Sequence, residues 1–290
     1  MQKKILVLND LHVGSAYGLF PPAFVDTEGN VHEYSKGQKW LWDTFIQALN
    51  RIQPQPIDVI VVNGDVMDGK PGKNPNQSQD CTLHRIEDQR ECAVKVLEEV
   101  KSRFPKAAWY FVQGTPNHET AADVAQVAFM LLGEKTPVRQ TLSLQMGRPG
   151  REVILQFHHE TSFTSGPTKS GAIERDIVNG FLAVAMDGWK SAACVIRAHC
   201  HYFVAVMRKN KLGIVCPCWQ LQTPFTRKSS PDKTIPDIGC VVLSVDDALV
   251  EFGTCPVGFQ EYIYRHPQSE MVALDEEEPD GTPLTLIGNE

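Results

Sequence analysis

Short apolar runs alternate with stretches of helical period up to about residue 200. Ile5–Leu8, Val59–Val62, Trp109–Val112, Val153–Leu155 and Cys194–Ile196 are continuous apolar runs. They are too short for helices and read as strands buried on both faces. Between them, apolar residues recur at helical spacing. One set is Leu41, Phe45, Ala48, Leu49 and Ile52; the next is Ile86, Ala93, Leu97, Val100 and Phe104. A third is Val124, Val127, Ala128 and Leu131, and a fourth is Ile173, Ile177, Phe181 and Val184. Thr120 stands where the third helix needs an N-cap, and Gly133 where it should stop. This alternation predicts a layered α/β fold. Past residue 200 the helices drop out. Val204–Met207, Leu212–Val215, Val241–Val245 and Glu261–Tyr264 read as strands, which predicts a second, antiparallel sheet packed on the first. Residues 13–36, 66–83 and 220–238 are long Gly-, Pro-, Asn- and Ser-rich loops, and loops of this length in a compact domain are usually functional.

Charge divides the chain in two. Seven of the 35 acids lie after Arg265, where there is no Lys or Arg, leaving 28 acids against 28 Lys plus Arg. The expected organisation is therefore a formally neutral folded body, 1–265, and an acidic tail, 266–290, whose composition predicts partial disorder. A neutral body lacks the basic footprint of a duplex-binding protein, though it leaves room for a nucleotide or a strand end. No apolar run approaches the roughly 20 residues of a membrane span. The run after Lys3-Lys4 ends at Asn9-Asp10, shorter than the roughly 7–15 residues of a signal-peptide core, so a cytoplasmic location is expected. The eight cysteines show no paired spacing and are expected as free thiols, with Cys216-Pro217-Cys218 a turn in the core.

The chemistry lies where the five apolar runs end. In order they are followed by Asp10-Leu11-His12, Gly64-Asp65, Gly114-Thr115-Pro116-Asn117-His118-Glu119, His158-His159 and His199-Cys200-His201. Each motif alone is a common turn or surface triplet. Together they place six of the nine histidines at strand ends, where open α/β sheets build their sites. Other candidates read more plainly. Ser165–Gly171 lacks the glycine before Lys169 that a phosphate loop needs, and reads as a loop over the site from which Lys169 or Arg175 could reach substrate. Asn76-Gln77-Ser78 is a sequon without meaning in the cytoplasm, and Arg227 and Lys228 read as solvated.

The series Asp-x-His, Gly-Asp, Asn-His-Glu, His, His-x-His resembles the calcineurin-like metallophosphoesterase superfamily, especially its phosphodiesterase and repair-nuclease branches, over roughly residues 3–205. The resemblance implies a four-layer α/β/β/α sandwich of two mixed sheets flanked by helices. It implies that Asp10, His12 and His201 bind one metal, that Asp65 bridges, and that Asn117, His158 and His199 complete the second. His159 is the alternative to His158. His118 becomes the non-ligand histidine beside the substrate, with Asn117 also in reach of it. The inserted Thr115-Pro116 and the Ala198 before His199 depart from the family pattern.

A donor set of imidazole, carboxylate and amide suits two divalent transition metals, manganese first, with iron, zinc, cobalt or nickel as alternatives. The mechanism implied is in-line attack by a hydroxide bridging the two ions, with His118 assisting the leaving oxygen. The expected activity is a phosphodiesterase acting on small nucleotide-like or aryl diesters. The alternatives are a repair-type nuclease on single-stranded ends, a phosphomonoesterase, and a non-enzymatic scaffold on the same fold. Substrate choice is expected to lie in the loops at 13–36, 66–83, 161–171 and 220–238.

Overall fold

A computed structural model describes residues 2–69, 80–161, 169–187, 190–224, 235–265, 274–277 and 283–286. In chain order the elements are β1 (Gln2–Leu8), β2 (Ala23–Val25), β3 (Val31–Glu33), α1 (Lys36–Ile52), β4 (Val59–Asn63), α2 (Ile86–Arg103), β5 (Ala108–Val112) and α3 (Ala121–Leu132). There follow β6 (Val138–Arg139), β7 (Thr141–Met146), β8 (Val153–His158), α4 (Gly171–Asp187), β9 (Cys194–Arg197), β10 (Val204–Arg208) and β11 (Lys211–Val215). The chain closes with β12 (Ile238–Asp246), β13 (Val257–Tyr264), β14 (Leu274–Glu277) and β15 (Pro283–Leu286).

Two mixed sheets stack face to face. The first has the order β13-β12-β1-β4-β5-β6, parallel from β1 to β6 and antiparallel at β12 and β13. The second has the order β10-β11-β9-β8-β7, with β8, β9 and β11 parallel and both edge strands antiparallel. Strand parity explains the layers. Ile5 and Val7 join Leu155, Phe157, Ile196 and Ile214 between the sheets. Leu6 and Leu8, one residue out of step, pack with Leu41, Phe45 and Leu97 of α1 and α2. Ile173 of α4 covers Val195 and Val215 on the outer face of the second sheet. The result is an α/β/β/α sandwich. Each such side chain, buried on folding, contributes about 1.5–3 kcal/mol.

The helices start and stop for local reasons. Ser35 and Gln38 form a reciprocal capping box on α1, as do Thr120 and Asp123 on α3. Gly133 ends α3 in the left-handed region, at φ 77°.

The late strands do not make a sheet of their own. β12 pairs back with β1 and carries β13 with it, while β10 and β11 complete the sheet that β7, β8 and β9 begin. The antiparallel pattern after residue 200 is local, and chain order is not spatial order. The β2–β3 hairpin lies inside the expected loop 13–36. Of the acidic tail, only the β14–β15 pairing is described. Asn76–Ser78, most of Ser165–Gly171, and Arg227 and Lys228 lie outside the described residues. No helix among the described residues is long and apolar enough to cross a membrane.

Candidate metal centre

The parallel strands β1, β4 and β5 of one sheet and β8 and β9 of the other end at the same edge of the sandwich. Their following loops meet there through backbone bonds. Asp10 N–H donates to Gly64 O at 3.0 Å, His12 N–H to Asp65 O at 3.0 Å, and Val13 N–H to Val66 O at 2.9 Å. The loops turn sharply. Among the described residues, six non-glycine residues have positive φ, and five are here: Asp10 (50°), His12 (45°), Asp65 (47°), His199 (69°) and His201 (56°). Each costs about 1–2 kcal/mol in the left-handed region, and such strain concentrates at functional sites. Two glycines make room. A Cβ on Gly64 (φ 84°) would strike the His159 ring, and one on Gly114 would strike the Asp65 carboxylate.

The donor atoms form three groups, each with all its atoms within 4.8 Å of one another: Asp10, His12 and His201; Asp65, His159 and His199; and His12, Asp65 and His118. In the first group, His12 Nε2 is 3.2 Å from His201 Nε2, which is 3.3 Å from Asp10 Oδ1. In the second, His159 Nε2 lies 2.9 Å from Asp65 Oδ2 and 3.7 Å from Asp10 Oδ1. His199 Nδ1 lies 3.9 Å from Asp65 Oδ2.

One side of two of these rings is already committed. His159 Nδ1 lies 2.7 Å from Asn63 O, and His12 Nδ1 lies 3.1 Å from Asp68 Oδ1. These acceptors place the proton on Nδ1, so in the neutral rings Nε2 presents a lone pair to carboxylate oxygens and to other nitrogens. Such an array is repulsive without a cation or added protons. Asp10 Oδ1 and His159 Nε2 are buried with no hydrogen-bond partner. In the neutral ring the 2.9 Å approach of His159 Nε2 to Asp65 sets a lone pair against a carboxylate oxygen, an approach that an added proton or a cation turns favourable. Donors sharing one ion at about 2.0–2.2 Å sit about 3 Å apart, and the shorter spacings fit that. The imidazole–carboxylate set fits a divalent transition metal.

Electrostatics follow from the crowding. Burial alone would raise the Asp10 carboxyl, but His159 and His201 outweigh it and hold the group at about 2. Asp65 is likewise lowered well below the carboxylate range, against its burial, by His159 and His199. Burial lowers His159, but Asp10 and Asp65 overcome it and push the ring up to about 9. The protein thus attracts positive charge to this point, whether proton or metal.

Two sequence expectations are corrected by placement. His159, not His158, enters the cluster. His158 Nδ1 turns away to Gln140 O at 2.9 Å and to Thr141 Oγ1 at 3.1 Å. The reason is parity: Val153, Leu155 and Phe157 face inward, so His159 does and His158 cannot. That alternation was readable in the sequence. Asn117 is exposed in the turn after Pro116 and makes no hydrogen bond to the cluster. Thr115 takes the place beside Asp65, donating to Oδ1 from its N–H at 2.7 Å and from its Oγ1 at 3.1 Å. Asn117 thus follows Thr115-Pro116 on the exposed side of the turn, while Thr115 stays buried.

Sequence reasoning also missed residues that hold the donors. Glu119 accepts backbone N–H groups from Gly114 (2.7 Å), Val66 (2.9 Å) and Asp65 (3.1 Å), tying the second motif to the third. Burial and the nearby Asp65 charge push its carboxyl up to about 8. Asn9 donates to Asp10 Oδ2 at 2.7 Å and to Pro217 O at 2.6 Å, which gives the Cys216-Pro217-Cys218 turn its place. All eight cysteines are free. Asp68 holds His12 through its carboxylate and His118 Nδ1 through its carbonyl, at 2.8 Å. An acid three residues after Gly64-Asp65 was its only sequence signal.

Residues 3–179 match the model of the calcineurin-like phosphoesterases. The chain belongs to that family. No curated protein matches it. Solved structures similar to this metallophosphoesterase include Vps29 of Cryptosporidium parvum, at 10% identity and TM-score 0.44, covering 91% of this chain and 99% of that one. Vps29 of Entamoeba histolytica complexed with zinc shares 12% identity at TM-score 0.40, covering 90% and 98%. An archaeal phosphodiesterase shares 10% identity at TM-score 0.40, covering 90% and 99%.

Proposed function

We propose that this metallophosphoesterase is a metal-dependent phosphodiester hydrolase acting on small nucleotide-like or aryl diesters. The observation that carries the reading is the pair of donor groups meeting at Asp10 and Asp65, with a partly exposed histidine at their rim. Asp10, His12 and His201 would hold one divalent ion; Asp65, His159 and His199 would hold a second, with Asp65 between them. Manganese is the first candidate, with iron, zinc, cobalt and nickel as alternatives. Such ions supply Lewis acidity toward phosphoryl oxygens and an activated water for in-line displacement.

The chain's own groups do the rest. Asp10 and Asp65 contribute two negative charges against the four positive charges of two divalent ions, so the site keeps affinity for an anionic ester. Thr115 fixes the Asp65 carboxylate with two hydrogen bonds. His118 is about 30% exposed, and its Nδ1 is held by Asp68 O. Its Nε2 is then the atom that can hand a proton to the leaving oxygen. Asn117, exposed beside it, would contact the substrate rather than the buried cluster.

Manganese-loaded protein is expected to hydrolyse bis-p-nitrophenyl phosphate, and Asp65→Asn and His118→Ala to suppress that. Faster turnover of p-nitrophenyl phosphate would move the reading to a monoesterase. Degradation of labelled single-stranded DNA would move it to a nuclease. Absence of bound metal and of all three activities would leave a scaffold.

A further inference from the structure

Gln89 lies on α2, outside every motif, yet it is fully buried and its amide is completely used. Gly69 N–H donates to Gln89 Oε1 at 2.9 Å, and Gln89 Nε2 donates to Gly69 O at 2.9 Å and to Leu83 O at 2.8 Å. The side chain thus pairs with the Gly69 main chain as a neighbouring strand would. Gly69 (φ 85°) is confined on its other side, where an added Cβ would strike the His118 backbone. Gly14, two residues after His12, is confined by Gln89 itself, because a Cβ there would enter the Gln89 side chain. One buried amide therefore braces the segments that follow His12 and Asp68. The Asp68–Gly69 peptide it grips carries the carbonyl that holds His118 Nδ1 at 2.8 Å.

We infer that Gln89 is a positioning residue for His118: it fixes the Asp68–Gly69 peptide, and through it the imidazole that protonates the leaving oxygen. This rests on the proposed role of His118. His12 is 2% exposed and packed among other donors, whereas His118 is about 30% exposed and its ring has one strong hydrogen bond. Loosening the peptide therefore disturbs His118 first.

The test uses the full manganese-loaded chain with two diesters, bis-p-nitrophenyl phosphate and diphenyl phosphate. Phenolate is the poorer leaving group and needs the proton more. Gln89→Met keeps the volume, and Gln89→Glu keeps the shape while losing both N–H donors. Each is expected to lower kcat for diphenyl phosphate about 10–100-fold, with a several-fold smaller loss on the nitrophenyl ester and KM within about 2-fold. The double variant Gln89→Met/His118→Ala is expected to be no slower than His118→Ala alone. Metal content and urea midpoints of every variant separate misfolding from misplacement, and Gln89→Glu carries the test if Gln89→Met does not fold. Equal losses on both esters, or losses that multiply in the double variant, would overturn the inference and leave Gln89 a fold residue. If His118→Ala is itself as active as the parent, the reading of His118 fails and the inference falls with it. Neither variant folding with metal bound would likewise assign Gln89 to the fold.

Discussion

The two ends of β1 and β4 treat charge in opposite ways. At the C-terminal ends, Asp10 and Asp65 are wholly buried among histidines, on backbone held in the left-handed region. At the N-terminal ends, Lys3 pairs with Asp58 at 2.5 Å with both side chains partly exposed, and Lys4 donates to Gln55 at 2.7 Å. A cavity of about 640 Å³ opens at that second end, lined by Lys3, Gln55, Asp58, Arg103 and Gly147. There the positive φ falls on a glycine, Gly147 at 102°. This hollow thus sits at the end with the ordinary chemistry. Exposed pairs of this kind contribute about 0–1 kcal/mol and need no second explanation. Buried carboxylates crowded by imidazoles on strained backbone do need one, and they locate the site.

The largest effect is expected for Asp65→Asn, which removes the carboxylate shared by two donor groups. Hydrolysis of bis-p-nitrophenyl phosphate should fall by roughly 1,000-fold or more, and bound metal should fall with it. Retained metal and rate would dissolve the contrast.

Next come the two adjacent histidines. His159→Ala is expected to lose roughly 100-fold in activity and to weaken metal binding, while His158→Ala stays within about 3-fold. The reverse order would restore the assignment of His158.

A comparable effect should appear in the stability of chelator-treated protein. Folding raises His159 from 6.5 to about 9, so its contribution is complete below about pH 6.5 and is lost as pH climbs through 9. Folding holds Asp10 at about 2 instead of 3.8, so its contribution is present above about pH 4 and is lost as pH falls toward 2. Urea midpoints should therefore be highest between about pH 4 and 6.5. The His159 limb should be worth about 3 kcal/mol, and metal should flatten it by replacing the proton. A flat profile without metal would show that the cluster does not attract positive charge.

Thr115→Val, which removes one of the two hydrogen bonds to Asp65, is expected to cost about 10-fold in rate. The smallest effect belongs to the other end: Asp58→Asn should leave activity within about 2-fold and stability within about 1 kcal/mol. A large loss of activity there would mean that the two ends are coupled.

Much of this was legible in the sequence. The runs at Ile5–Leu8, Val59–Val62 and Cys194–Ile196 are strands because residues buried on both faces must be apolar throughout. Thr120 and Gly133 bound α3 because capping is a local matter of side-chain reach and backbone handedness. The order of the ligand-type motifs was visible because each follows its strand directly. The pairing of β12 with β1 was not, since it joins opposite ends of the chain and leaves no local mark. Nor was the brace at Gln89, which is an unremarked glutamine in a helix until Gly69 and Gly14 are seen against it.

Chain order alone dictates which residue types reach the site edge and in what sequence, because a strand end fixes its loop within a residue or two. Which of them meet is a matter of packing between the two sheets. His159 turned inward and His158 outward by the parity of β8 against the opposing sheet. The turn at Thr115–Asn117 leaves Asn117 at the surface and sets Thr115 on Asp65. Both outcomes depend on distances between chain segments far apart in sequence, and only packing fixes those.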